Sequence, residues 1–330
     1  MNCHQCGGIV IESDRFCAEC GVSIITTPSP QQLGNSCQKC GATLDLIDTE
    51  ACASPSGDRY CLECGFRQVP ISNDTIELKP AANLAGASDR GRRHHQNEDA
   101  IALEIVDRET SILVVCDGVS SSQNPELASQ AAATACIQAI VMAIQEDTNL
   151  TTAIDRGIAA ALISVSQVPF DPDLPDDSPS TTIVTAIVRG NIVTIGWLGD
   201  SRAYWIAPDK SYQLTEDDSW IREAIAAGEI TPEAAETSPY AHAITRWLGA
   251  DTIDDDRPNL TTFTIPAAGY LLLCTDGLWN YAPDSAYLYH LTQQAASNNP
   301  LDIARHLIRY ANQQGGQDNI TVGILANKGS

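Results

Sequence analysis

Ser111-Ile-Leu-Val-Val-Cys-Asp117-Gly118 is an apolar run that stops on an aspartate beside a glycine. The chain repeats the device. The run 194–202, TIGWLGDSR, reaches Asp200, the run 270–279, YLLLCTDGLW, reaches Asp276, and 315–325, GGQDNITVGIL, carries Asp318 at its head. A fifth acidic site, Gln96-Asn97-Glu98-Asp99, precedes them. A strand ending on a carboxylate sets charge at the edge of a buried sheet, and several such strands can bring their carboxylates together. Clustered anions need an opposing charge. No lysine or arginine directly adjoins these aspartates, so the expected counter-charge is a divalent metal. Oxygen-only ligands favour the hard cations Mg²⁺ and Mn²⁺. The pattern points to a metal-assisted phosphoryl or hydrolytic enzyme.

The 330 residues have room for one large domain and something small beside it. The net charge of -23, from 19 Lys+Arg against 42 Asp+Glu, argues against a nucleic-acid or membrane-surface binder. The one basic cluster, Arg90-Gly-Arg92-Arg93-His94-His95, suits a single phosphate better than a polyanion track. No stretch of 18 consecutive apolar residues occurs, and MNCHQCGG lacks the charged start and apolar stretch of a secretion signal. The expectation is a cytoplasmic chain whose twelve cysteines are thiols or metal ligands.

Nine of those cysteines fall within residues 3–64. Cys3-x-x-Cys6-Gly and Cys17-x-x-Cys20-Gly form one pair of turns, and Cys37-x-x-Cys40-Gly and Cys61-x-x-Cys64-Gly a second. CxxC puts two thiolates on one tight turn, and two such turns complete a tetrahedral site suited to Zn²⁺. The repeat resembles a double zinc ribbon holding two structural zinc ions. Cys52 is left over, as a spare thiol or a replacement ligand. Breaker-rich segments at 26–36 and 68–83 read as linkers.

Beyond residue 84, β-rich runs are expected at 101–106, 111–116, 181–188, 192–198, 203–206, 270–274 and 320–325. Helices are expected at 125–145, 152–166, 219–227, 284–295 and 301–313. Strands in runs with a pair of long helices between them indicate α+β layers, not a regular βαβ alternation.

An ordered set of motifs then brings a family into view. NEDA (97–100), VVCDG (114–118), STTIVTAIV (180–188), GDSRAY (199–204), LTEDDS (214–219), ITRWLG (244–249), LLLCTDGLW (271–279) and QDNITV (317–322) together resemble the PPM, or type 2C, metal-dependent Ser/Thr protein phosphatases. The resemblance implies a four-layer α-β-β-α sandwich of two antiparallel sheets. It implies two Mn²⁺ or Mg²⁺ ions and a bridging hydroxide that attacks the phosphorus of phosphoserine or phosphothreonine. By that resemblance Asp117 bridges the metals, Gly118 offers its carbonyl, Asp276 and Asp318 are further ligands, and Glu98 with Asp99 hold metal directly or through water. Asp177 stands where some members carry a carboxylate for a third, weaker metal, and Asn280 where some have another aspartate.

The pattern departs from the family at several positions, first among the phosphate-binding residues. An arginine that grips the substrate phosphate usually lies four residues before the glutamate, and here that residue is His94. Arg92, Arg93 and His94 are therefore the phosphate-binding candidates. Val119 replaces a histidine found in many animal members, which fits a bacterial type. Asp200 and Arg202 read as an internal salt bridge, and Arg246 and Trp247 as the seat of a flap over 220–243. The expected division is a ribbon over 1–25, a linker over 26–36, a ribbon over 37–67, a linker over 68–83, and a phosphatase domain over 84–330. Phosphoproteins are the expected substrates. The ribbons are read as a docking or regulatory module for a partner such as a cognate kinase. The alternative is a catalytically weak scaffold that binds phosphoproteins.

Overall fold

The computed structural model describes residues 59–60, 67–68, 74–174, 177–235, 238, 240, 243–251 and 257–327. The chain divides into two units, Met1–Ser72 and Asn73–Ser330. In the first, β1 (Arg59–Tyr60) pairs antiparallel with β2 (Arg67–Gln68). The CxxC cysteines and Cys52 lie outside the described residues.

The second unit opens with β3 (Thr75–Leu78), β4 (Leu84–Asp89), β5 (Asp99–Ile105) and β6 (Thr110–Asp117). Helices α1 (Pro125–Gln145) and α2 (Leu150–Ser166) follow. Next come β7 (Ser180–Thr181), β8 (Ile183–Arg189), β9 (Ile192–Leu198), β10 (Arg202–Ile206) and β11 (Tyr212–Gln213). Short helices α3 (Trp220–Ala226) and α4 (Pro232–Ala235) lead to β12 (Leu248–Gly249), β13 (Asn259–Thr264) and β14 (Gly269–Cys274). The unit ends with α5 (Asp276–Trp279), α6 (Ser285–Gln293), α7 (Pro300–Gln314) and β15 (Ile320–Asn327).

Two antiparallel sheets carry the unit, ordered β11-β10-β14-β15-β4-β3 and β13-β9-β8-β6-β5. Strand β6 explains why its run is continuously apolar. Ile112, Val114 and Cys116 face α1 and α2, while Leu113 and Val115 face the other sheet. A strand covered on both faces has no polar side to alternate with. The second sheet buries Leu272, Cys274, Val322 and Ile324 against α6 and α7. Three apolar clusters thus separate four layers, helices on sheet on sheet on helices. Each fully buried Leu, Ile or Val contributes roughly 1.5–3 kcal/mol to that arrangement.

Helix α1 is long and apolar enough to cross a membrane by length and composition alone. Here its Ala128, Ala132, Cys136 and Ile140 pack in the core against the five-stranded sheet and α2. Pro125 opens it, as expected for a residue with no N–H to satisfy. Helix α2 starts two residues earlier than its apolar spacing indicated, because the Asn149 side chain accepts from the Thr152 N–H.

The interval 68–83, read from sequence as linker, contains β3. It pairs with β4 in the register Thr75↔Asp89 to Leu78↔Gly86. β13 was also missing from the sequence reading. It is an edge strand with every second residue exposed, so its Asn and Thr content hides it.

Candidate active site

Antiparallel pairing places strand starts and strand ends at the same edge of a sheet. In the six-stranded sheet β4 ends where β15 begins, with Asp89 opposite Ile320. β14 ends beside them, with Cys274 opposite Val322, and β10 starts there, with Arg202 opposite Cys274. In the five-stranded sheet β5 begins at Asp99 directly opposite Asp117, where β6 ends. Asp276 and Asp318 flank β14 and β15 at the same edge.

Hydrogen bonds join the two edges. Thr275 Oγ1 donates to Asp99 Oδ2 at 2.9 Å and accepts from the Thr321 N–H at 3.0 Å. Asn319 reaches further. Its Oδ1 accepts from the Glu98 N–H at 2.8 Å, and its Nδ2 donates to the carbonyls of Arg90, at 2.8 Å, and Gln96, at 3.1 Å. Asn319 is buried and holds both ends of the basic loop. No local pattern in the sequence gives it a role, because its partners lie more than 200 positions away. Its place beside Asp318 was the only signal.

Thr181 Oγ1 donates to the Asp117 carbonyl at 2.8 Å, and the Thr182 N–H donates to the same oxygen at 2.8 Å. Gly118 is the residue that lets the chain turn there. A Cβ on it would meet the Pro125 carbonyl oxygen at 2.6 Å and that of Glu98 at 2.7 Å. Glu98 Oε2 accepts from Ser120 Oγ at 2.6 Å.

The acids act on one another. Burial, with the nearby Asp318 charge, pushes Asp99 up to about 7. Burial pushes Asp117 well above the usual carboxylate range, and the charges of Asp99, Asp276 and Asp318 add to it. Asp276 is pushed well up by burial and by Asp200, Asp318 and Asp99. Asp99 Oδ1 and Asp276 Oδ1 are buried with no hydrogen-bond partner. An orphaned carboxylate oxygen among like charges is costly unless a cation meets it. No three Asp, Glu, His or Cys side chains among the described residues form a ready-made metal cage. The orphaned oxygens and the oxygen-only donor set are what fit a hard divalent ion. A cleft of about 380 Å³ opens beside them, lined by Asp276, Gly277, Asn280, Tyr281, Gln317 and Asp318.

The phosphate-binding candidates divide. Arg92 and Arg93 are exposed, and the Arg92 N–H is tied to the Gly316 carbonyl at 2.8 Å. His94 instead turns inward, with Nε2 3.1 Å from Asp318 Oδ1 and Nδ1 3.9 Å from Glu98 Oε2. Asn280 Nδ2 donates to Asp276 Oδ2 at 3.0 Å. The Asp177 side chain is exposed, and its carbonyl accepts from the Gln123 N–H.

The salt bridge expected between Arg202 and Asp200 goes to Asp217 instead. Arg202 forks onto Asp217, with Nε to Oδ1 at 2.9 Å and Nη2 to Oδ2 at 2.6 Å. Its guanidinium lies 3.7 Å over the Trp279 ring. Asp217 presents both oxygens in the planar geometry that a guanidinium matches. Trp279 Nε1 donates to the Asp200 carbonyl at 2.9 Å, so the cluster braces the turn of α5 that begins at Asp276. At the flap, Arg246 Nη1 lies 3.7 Å from Asp218 Oδ1 and Trp247 Nε1 donates to Asp251 at 3.3 Å. Asp218 Oδ2 accepts from the Gly199 N–H at 3.0 Å.

The family described as Protein phosphatase 2C matches residues 86–312. Serine/threonine phosphatase stp of Listeria innocua is 32% identical over 246 residues, 72% of this chain and 93% of that protein. Serine/threonine protein phosphatase PstP of Mycobacterium tuberculosis is 30% identical over 254 residues, 76% of this chain and 45% of PstP. Among solved structures, a bacterial serine phosphatase superposes with a TM-score of 0.62 at 25% identity, covering 76% of this chain and 99% of that one. The catalytic domain of PstP in complex with two manganese ions gives 0.54 at 26% identity, with 76% and 99% covered. With the family match running through the acidic sheet edge, the chain belongs to the protein phosphatase 2C family and is a protein serine/threonine phosphatase.

Proposed function

We propose that this phosphatase works with a pair of divalent cations, Mn²⁺ or Mg²⁺, held by Asp99, Asp117, Asp276 and Asp318, with Glu98 and the Gly118 carbonyl completing the set. The orphaned Asp99 and Asp276 oxygens carry the reading. The relative solved with two manganese ions supports it. When bound, such ions supply an activated water and positive charge against the phosphoryl oxygens. The chain's own residues set the frame. Thr275 and Asn319 fix the two sheet edges against each other, Thr181 fixes the Asp117 backbone, and Asn280 orients Asp276. Arg92 and Arg93 place exposed positive charge on the loop that carries His94 and draw a phosphorylated serine or threonine to the cleft.

Hydrolysis of an aryl phosphate and a phosphothreonine peptide, with and without Mn²⁺, tests this. Activity is expected only with Mn²⁺ or Mg²⁺, and Asp276→Asn is expected to remove it by roughly a hundredfold or more. Full turnover in excess chelator would overturn the metal assignment.

The four CxxCG turns of the first unit are proposed to hold two zinc ions and to serve as a docking or regulatory module. Their paired spacing supports this. Metal analysis of the purified chain, with about two zinc ions expected, is the check.

A further inference from the structure

We propose that β3 is a strap that sets the phosphate-facing loop 90–97, and that Asp74 is its positioning residue. The inference rests on the phosphatase reading and goes beyond it.

β3 is the outermost strand of the six-stranded sheet and is clamped at both ends. At its far end Glu77 takes a bidentate grip from Arg305, at 2.7 and 2.6 Å. Its near end meets the loop. The Asp74 carbonyl accepts from the Arg90 N–H at 2.6 Å, and the Asp74 carboxylate lies 3.5 Å from Arg90 Nε. Thr75 Oγ1 donates to Asp89 Oδ2 at 3.1 Å, and Asp89 Oδ1 accepts from the Gly91 N–H at 3.0 Å.

Arg90 carries the constraint across. Its Nη1 donates to the His95 carbonyl at 3.3 Å, so one side chain touches both the strap and the far side of the loop. Arg92, Arg93 and His94 lie between these two ties. Arg90 is thereby occupied in holding the loop, which leaves the exposed Arg92 and Arg93 for the substrate. Without the Asp74 carboxylate, Arg90 loses its ion partner: the loop keeps its backbone tie to the Asp74 carbonyl and its contacts with Asn319, but the side chain that reaches the His95 carbonyl is no longer anchored at the strap.

The test is steady-state kinetics of the full chain with Mn²⁺, a phosphothreonine peptide as substrate and inorganic phosphate as inhibitor. Asp74→Ala is expected to raise KM and the phosphate inhibition constant together by roughly three- to fivefold, the scale of one partly exposed ion pair. kcat and calorimetric Mn²⁺ affinity stay as in the wild type, and Asp74→Glu restores KM. Glu77→Ala is the control, because it weakens the strap at the end remote from the loop. It should lower the Tm and leave KM alone. Unchanged KM in Asp74→Ala, or an equal KM rise in Glu77→Ala, overturns the positioning role. A wild-type chain without any turnover would instead sink the phosphatase reading on which the inference stands.

Discussion

Asp99 and Asp117 stand directly opposite each other across the antiparallel pair β5–β6, one opening its strand and the other closing its partner. Facing like charges on neighbouring strands are destabilising, and here burial compounds the repulsion. The fold carries this strain for the sake of the site. Asp117→Asn should therefore stabilise the metal-free protein, by about 1 kcal/mol, while removing activity. Thermal melts in chelator, beside phosphatase assays in Mn²⁺, check it. A lower Tm for the variant in chelator would refute the argument.

Asp200 makes a separate point about pH. Burial, and then the charge of Asp217, pushes it up to about 7. The folded state thus binds its proton more tightly than the unfolded chain, whose aspartates titrate near 3.9. Folded stability from this group is full below about pH 4 and is lost as pH rises toward 7. Metal-free wild type should lose Tm over that window, and Asp200→Asn should make the loss shallower, leaving the part that Asp99, Asp117 and Asp276 contribute. Melts in chelator between pH 4 and 8 decide it, and parallel curves for the two proteins would contradict it.

What could be read in advance follows from the range of the forces involved. Asp117 was legible because Ile112 to Cys116 are buried on both faces, and double burial leaves an unbroken apolar run. Asp276 and Asp318 were legible for the same reason, each flanking such a run. Asn319 was not, because its work is done by hydrogen bonds to Arg90, Gln96 and Glu98, and no local pattern encodes a partner on another strand. Arg202 misled for the converse reason. Asp200 is close in sequence, but the strand start aims the guanidinium at Asp217, 15 positions on. β3 escaped notice because a four-residue edge strand with alternate exposure carries too few apolar residues to stand out.

Arg202 gives a stability prediction. Its guanidinium satisfies Asp217, donates to the Tyr204 hydroxyl at 3.1 Å and covers Trp279. Lysine keeps the charge but not the planar fork. Arg202→Lys should cost about 1–3 kcal/mol, from the lost charged hydrogen bonds. It should also weaken Mn²⁺ binding, because Trp279 braces the helical turn that begins at Asp276. Arg202→Met leaves the partly buried Asp217 without its partner and should cost more, roughly 3 kcal/mol. Urea unfolding and Mn²⁺ titration calorimetry measure both. Wild-type Mn²⁺ affinity in Arg202→Lys would separate the brace from the metal site.

His94 stands where the family resemblance leads one to expect an arginine. The ring lies against Asp318 and Glu98, and in the proposed reading the phosphate falls to the more exposed Arg92 and Arg93. A guanidinium at position 94 has the reach and the donors to hold a phosphoryl group in a fork. A charge-assisted pair of hydrogen bonds is worth roughly one to two powers of ten in binding. His94→Arg should therefore lower KM for a phosphothreonine peptide about tenfold. It should sharpen competitive inhibition by inorganic phosphate to the same degree, with kcat changing less. His94→Ala, which frees the carboxylates and adds no donor, should leave KM near the wild-type value. Equal KM values for the histidine and arginine proteins would mean that Arg92 or Arg93 already supplies the grip, and that the histidine's place is with the acids alone.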